Sequence, residues 1–98
     1  MRFMQNVEFT TSRIADLDHY FDAWIIRTQG DRIPHRAVVA KDRDADNTYL
    51  LTVEFASHDE AMENSSRPAT TEFATFLAGI CDGPLTFRSL DVLREDVL

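Results

Sequence analysis

Proton chemistry near neutral pH points first to imidazoles, and the chain has three: His19, His35 and His58. His35 stands just before a predicted strand and His58 in the first turn of a predicted helix. Both are element ends, where working residues and ordinary surface imidazoles alike collect. His19 falls opposite Leu17 and Phe21 on a predicted helix and is flanked by Asp16 and Asp22, which describes a solvated, ion-paired face. Arg88, on a predicted strand, could neutralise an anionic or enolate ligand, or pair with Glu54 or Glu8 across a sheet.

Other constellations carry less. Asp42, Asp44 and Asp46 have the D-x-D-x-D spacing of an EF-hand loop, but Asn47 replaces the sharp-turn glycine and Val53 the bidentate glutamate. Predicted strands flank the loop where helices should, so the acids read as solvated turn residues and no metal site is expected. No His/Cys set has zinc spacing, and no glycine-rich loop follows a strand. Cys81 is the single cysteine, which excludes an internal disulfide; with no Cys–His pair evident it reads as a small buried hydrophobe.

Seventeen acidic side chains against ten basic ones leave a formal charge of -7. A field of that sign repels phosphate backbones and anionic lipid head groups, so neither nucleic acid nor membrane is an expected partner. The opening MRFMQNVEF is too polar for a signal peptide, and no apolar run approaches the roughly 20 residues that span a bilayer. A cytoplasmic location is expected. At 44% apolar and 28% charged, residues 1–98 read as one ordinary globular domain with a modest core, to which a partner subunit would add.

These side chains need elements to position them. RFMQNVEF alternates Phe3, Val7 and Phe9 against Met4, Asn6 and Glu8, the period of a strand, with Gln5 the exception on the apolar side. Thr11 or Ser12 is the expected N-cap of a helix carrying Ile14, Leu17, Phe21, Trp24, Ile25 and Thr28 on one stripe and ending near Gly30. Trp24, on that stripe, reads primarily as core. RAVVAK and TYLLTVEF are strands joined through the turn-forming DRDADN. Ser57 and Glu60 form a capping-box pair that starts a second helix. The stretch ENSSRP interrupts it, and beyond Pro68 the residues Phe73, Phe76, Leu77 and Ile80 resume the stripe. Gly83 is expected in a left-handed cap before LTFRSLDVL, a fourth strand.

The order β-α-β-β-α-β predicts an α+β ferredoxin-like sandwich, with four antiparallel strands and both helices on one face. The other face keeps Met4, Leu50, Leu90 and Val92, too apolar to leave in water beside Thr52, Glu54 and Arg88. A second copy packed sheet to sheet would cover it as a homodimer, closing an eight-stranded barrel.

In that order, and in MRFMQNVEF, YLLTVEFASHDEAMENS and TEFATFLAGICDGP, the chain resembles the dimeric α/β-barrel superfamily, and within it the small antibiotic-biosynthesis-monooxygenase-like domains. In this group the third strand ends in an aromatic and small-polar pair before a helix start, as EFASHDEA does. The second helical region is commonly broken and lies over a cleft against the sheet. The break at ENSSRP therefore either exposes N–H groups and hydroxyls to a ligand or merely turns one helix into two.

The resemblance implies a cofactor-independent monooxygenase-like enzyme acting on a small aromatic or polyketide-like compound, with no cofactor. It places substrate-positioning residues near Asn6 and Asn64, the latter where haem-degrading members carry a Trp. Near their haem-ligating His stands Thr75, which removes the haem ligand and argues against haem degradation. Deprotonating a bound phenol needs a base, and His35 and His58 are the candidates, with Arg88 a further candidate for binding. The alternative implied by the same fold is a non-catalytic small-molecule-binding or stress-associated barrel, and beyond that a purely structural dimer module.

Overall fold

Alternation along the first strand organises the domain. In the computed structural model, which describes residues 1–98, β1 (Phe3–Thr10) sends Phe3, Val7 and Phe9 to one buried face. It is followed by α1 (Ile14–Arg27), β2 (Arg36–Lys41), β3 (Thr48–Phe55), α2 (His58–Ser65), α3 (Pro68–Ile80) and β4 (Thr86–Asp91). The strands form one antiparallel sheet in the order β2-β3-β1-β4, the ferredoxin-like arrangement that the element order predicts. Pairing Val7 with both Leu51 and Phe87, and Phe9 with Tyr49, stacks the apolar residues of three strands on the helix side. There Val7, Phe9, Leu17, Tyr49, Leu51, Leu77 and Ile80 make the core, and Phe3, Phe55 and Ala61 a smaller cluster under α2.

The hairpin between β2 and β3 uses its acids locally. The Asp42 carboxylate accepts from the Asp44 N–H at 2.8 Å, and Asn47 takes the left-handed conformation (φ 53°) that the turn needs. Ser57 caps α2 by accepting from the Glu60 N–H (3.2 Å), while the Glu60 carboxylate reaches back to the Ala56 N–H (3.1 Å).

Two local expectations are corrected. Neither Thr11 nor Ser12 caps α1; the N-cap is Arg13, without a side-chain cap bond. Thr11 is instead fully buried, donating its hydroxyl to the Ile80 carbonyl (2.6 Å) and accepting from the Arg13 N–H (3.0 Å). Gly83 does not adopt positive φ, and α3 ends at an extended Cys81. That end is held by tertiary bonds, from the Asp82 N–H to the Thr10 carbonyl (2.8 Å) and from the Ser12 N–H to the Asp82 carboxylate (2.9 Å). The exposed hydroxyls at the helix break bond back to their own helix: Ser65 donates to the Met62 carbonyl and Ser66 to the Glu63 carbonyl, each at 2.7 Å. Their protons are spent on the last carbonyls of α2.

The sheet face away from the helices carries Met4, Leu50, Val38 and Leu90, the last two each 39% exposed. Asn6 and Thr52 pair across the middle of this face.

A candidate ligand cleft

A cavity of about 310 Å³ opens between the helices and the sheet. One wall is aromatic. Phe73 of α3 meets Phe21 and Trp24 of α1 edge-on, at 6.0 and 6.4 Å between ring centroids, and Phe21 stacks on Trp24 at 5.4 Å. The floor is Val7, Leu51 and Val53 of the sheet, with Phe87 of the edge strand β4 at one side. The small side chains of Ala37 and Ala74 leave open what larger ones would fill.

Polar groups enter this apolar space at few points. Gln5 rises from the floor, Asn64 and Thr70 come from either side of the helix break, and His35 and Arg32 stand in the α1–β2 connection. The break therefore does position the site, by bringing the last turn of α2 and the first turn of α3 over one opening. Such a cavity, apolar with convergent polar groups, is the form small-molecule sites take.

No protein-family model matches the sequence, and no curated protein matches it. Solved structures do. The cofactor-independent oxygenase SnoaB from Streptomyces nogalater, in an asparagine-to-alanine variant, superposes with a TM-score of 0.78 at 17% identity, over 96% of this chain and 95% of that one. Rv0793 from Mycobacterium tuberculosis gives 0.76 at 15% identity, covering 99% and 100%. A proposed antibiotic biosynthesis monooxygenase from Caulobacter crescentus gives 0.78 at 9% identity, covering 95% and 91%. The chain has the fold that these proteins share. At such identities the likeness carries the fold, and the chemistry has to be argued from side chains.

Within that fold the residues singled out from the sequence separate into two groups. His35 and Asn64 line the cleft. The His35 N–H donates to the Glu54 carbonyl (2.9 Å), continuing the β2–β3 ladder, and its Nε2 lies 4.0 Å from the Glu60 carboxylate. His58 lies outside the lining, with its ring edge-on to Phe3 at 5.1 Å. Asn6 and Arg88 oppose each other across β1 and β4 on the far face of the sheet. Asn6 Nδ2 donates to Thr52 Oγ1 at 2.9 Å, and Arg88 makes no ion pair. Glu54, a partner considered for Arg88, instead faces Arg2 (3.7 Å) and Arg36 (3.5 Å).

Sequence reasoning passed over Arg32 and Thr70, which have no periodic or motif signal. Gln5 carried one, as the polar residue on an otherwise apolar strand face. Trp24 is only half-buried, against its expected core role, and its Nε1–H is shielded from water without an acceptor. At the partly buried Cys81, burial and then the neighbouring Asp82 charge push the thiol pKa up, which disfavours the thiolate.

Proposed function

We propose that the chain is a cofactor-independent monooxygenase-like enzyme acting on a small aromatic or polyketide-like compound held in the cleft. The cavity between the aromatic wall and the sheet, with His35 and Asn64 at its edge, is the observation that carries this reading. The shared fold with SnoaB, a cofactor-independent oxygenase, supports it.

Such a reaction asks little of the protein. A phenol or enol gives up a proton to a base, its anion passes an electron to dioxygen, and the radical pair combines to a carbon peroxide anion that takes the proton back from the base as the hydroperoxide. Loss of water then leaves a carbonyl, so one oxygen atom ends in the product and the other in water. The protein supplies a base, a fixed geometry and exclusion of water. In this proposal His35 takes the proton, with Glu60 beside it to stabilise the resulting imidazolium, and Asn64 orients the ring oxygen. Phe73 and Phe21 hold the ring plane.

The proposal extends to assembly. Two copies pack through the open sheet face, burying Met4, Val38, Leu50 and Leu90. Asn6 and Thr52 enter that interface with their mutual hydrogen bond already made, and Arg88 contributes at its rim.

The test is dioxygen uptake with a hydroxyanthrone, followed by product identification. Uptake that falls in Asn64→Ala and His35→Ala, with both variants folded, supports the reading. Saturable binding without product would place the chain instead among non-catalytic small-molecule-binding barrels.

A further inference from the structure

The cleft contrasts with the rest of the molecule in charge. The chain carries 17 acidic residues, yet none of them lines the cavity; its charged or ionisable lining residues are Arg32, His35 and Arg36. Arg36 is already answered by Glu54 at 3.5 Å. Arg32 is not. Its Nη2 donates to the Ile25 carbonyl at 3.1 Å, its guanidinium lies 5.8 Å from the centre of the Trp24 ring, and no carboxylate comes within salt-bridge distance. The adjacent Asp31 is turned to Arg67, and Glu60 is engaged by the Ala56 N–H. A guanidinium offers five N–H donors, so most of those on Arg32 remain free at the cleft mouth.

An unanswered arginine beside an apolar, aromatic-walled cavity describes a ligand with two parts: a planar apolar body and an anionic head. We infer that the cleft selects an anionic aromatic compound, a carboxylate or an ionised phenol, whose charged oxygen is received by Arg32 while its ring lies against Phe73 and Phe21. This rests on the cleft being the ligand site proposed above and adds the charge of what enters it. The single tryptophan, Trp24, lies under Arg32 and reports on the complex. The negative field of the whole chain would disfavour an anion in open solution. A cavity free of carboxylates and carrying one unpaired cation at its mouth reverses that locally, because the nearest charge an entering anion meets is positive.

The experiment compares naphthoate with its neutral isostere naphthamide, titrated into the full chain while Trp24 emission is followed. Equilibrium dialysis confirms occupancy where emission does not change. Charge-assisted hydrogen bonds are roughly twice as strong as neutral ones, so naphthoate should bind about tenfold more tightly than naphthamide. Arg32→Gln should bring the two to within about twofold, Arg32→Lys should keep part of the preference, and Arg36→Gln should keep all of it. Equal affinities in the native chain, or a preference that survives Arg32→Gln, overturn the inference. Binding of both probes without preference sinks the anion reading and leaves the cleft in place; binding of neither removes both. A retained preference in a chain that consumes no dioxygen removes the enzymatic reading alone.

Discussion

Arg67, at the break between α2 and α3, reaches back 36 residues to Asp31 in the α1–β2 connection. Its Nη1 donates to both the Asp31 carbonyl and the Asp31 carboxylate, each at 2.9 Å. That hydrogen bond, the first of several causes, raises the Arg67 pKa further above the physiological range. The contact ties the helix break to the connection bearing Arg32 and His35, so the two rims of the cleft are joined by one side chain. Exposed ion pairs add little to global stability. Arg67→Ala should therefore leave the thermal midpoint nearly unchanged and weaken ligand binding, as seen by Trp24 emission. A large fall in midpoint with unchanged affinity would show that the contact is structural only.

Thr11 does more for the fold than its place before a helix indicates. Its hydroxyl is fully buried, bonded to Ile80 at the end of α3 and to the Arg13 N–H at the start of α1. Thr11→Val keeps the shape and strands both partners, which should cost about 1–3 kcal/mol in urea unfolding. A loss near zero would mean that water replaces both bonds.

The two asparagines should behave differently. Asn64→Ala removes a polar group from the cleft and should lower oxygenase activity at least tenfold in kcat/KM, with the fold intact by circular dichroism. Asn6→Ala breaks only the bond to Thr52 on the far sheet face and should act on dimer affinity rather than on kcat. Equal kinetic losses from both would require a path from one sheet face to the other.

How this division between Asn6 and Asn64 arises shows what the sequence could carry. Strand parity alone puts Asn6 opposite Phe3, Val7 and Phe9, and the same parity marks Gln5 as the polar intruder under the helices. β2 and β3 fall where the β-branched and alternating runs place them, and the capping pair Ser57 and Glu60 starts α2 as its spacing requires. Helix ends made by distant partners were not legible. The end of α3 depends on Thr11 reaching Ile80 and on Asp82 reaching Thr10 and Ser12 across the chain, and local glycine rules point to Gly83 instead. Arg32 is likewise invisible in one dimension, since what distinguishes it is the missing carboxylate around it in space.

Cys81 supplies a pH dependence. Burial, and then Asp82, raise its thiol pKa in the folded state. A raised pKa means that the folded chain holds the proton more tightly, so this contribution to stability is complete below the ordinary thiol range and is lost as pH rises through the folded value. Native protein should therefore react slowly with iodoacetamide at pH 8, and urea should restore the rate of a free thiol. Cys81→Ala should flatten the decline of stability above about pH 9 relative to the native chain. Fast alkylation of the native chain would contradict the raised thiol pKa.

The open sheet face bears on oligomeric state. On the face that no helix covers, Met4 and Leu90 pair at one end and Leu50 stands toward the other, with the row Val38, Thr52, Asn6 and Arg88 crossing between them. Single exposed apolar residues are ordinary on a protein surface, whereas four on one uncovered sheet face favour a partner. A two-fold axis through the patch brings Leu50 of one copy near the equivalent face of the other and satisfies both surfaces with one contact. Light scattering should therefore give twice the mass of one chain. Leu50→Glu places charges inside that contact and should yield monomers that keep native circular dichroism, because the substituted side chain lies outside the core under the helices. Ligand binding should survive in those monomers, since the cleft lies on the helix side of the sheet, away from the open face. If dissociation abolished binding, the second copy would have to support the cleft from beneath the sheet.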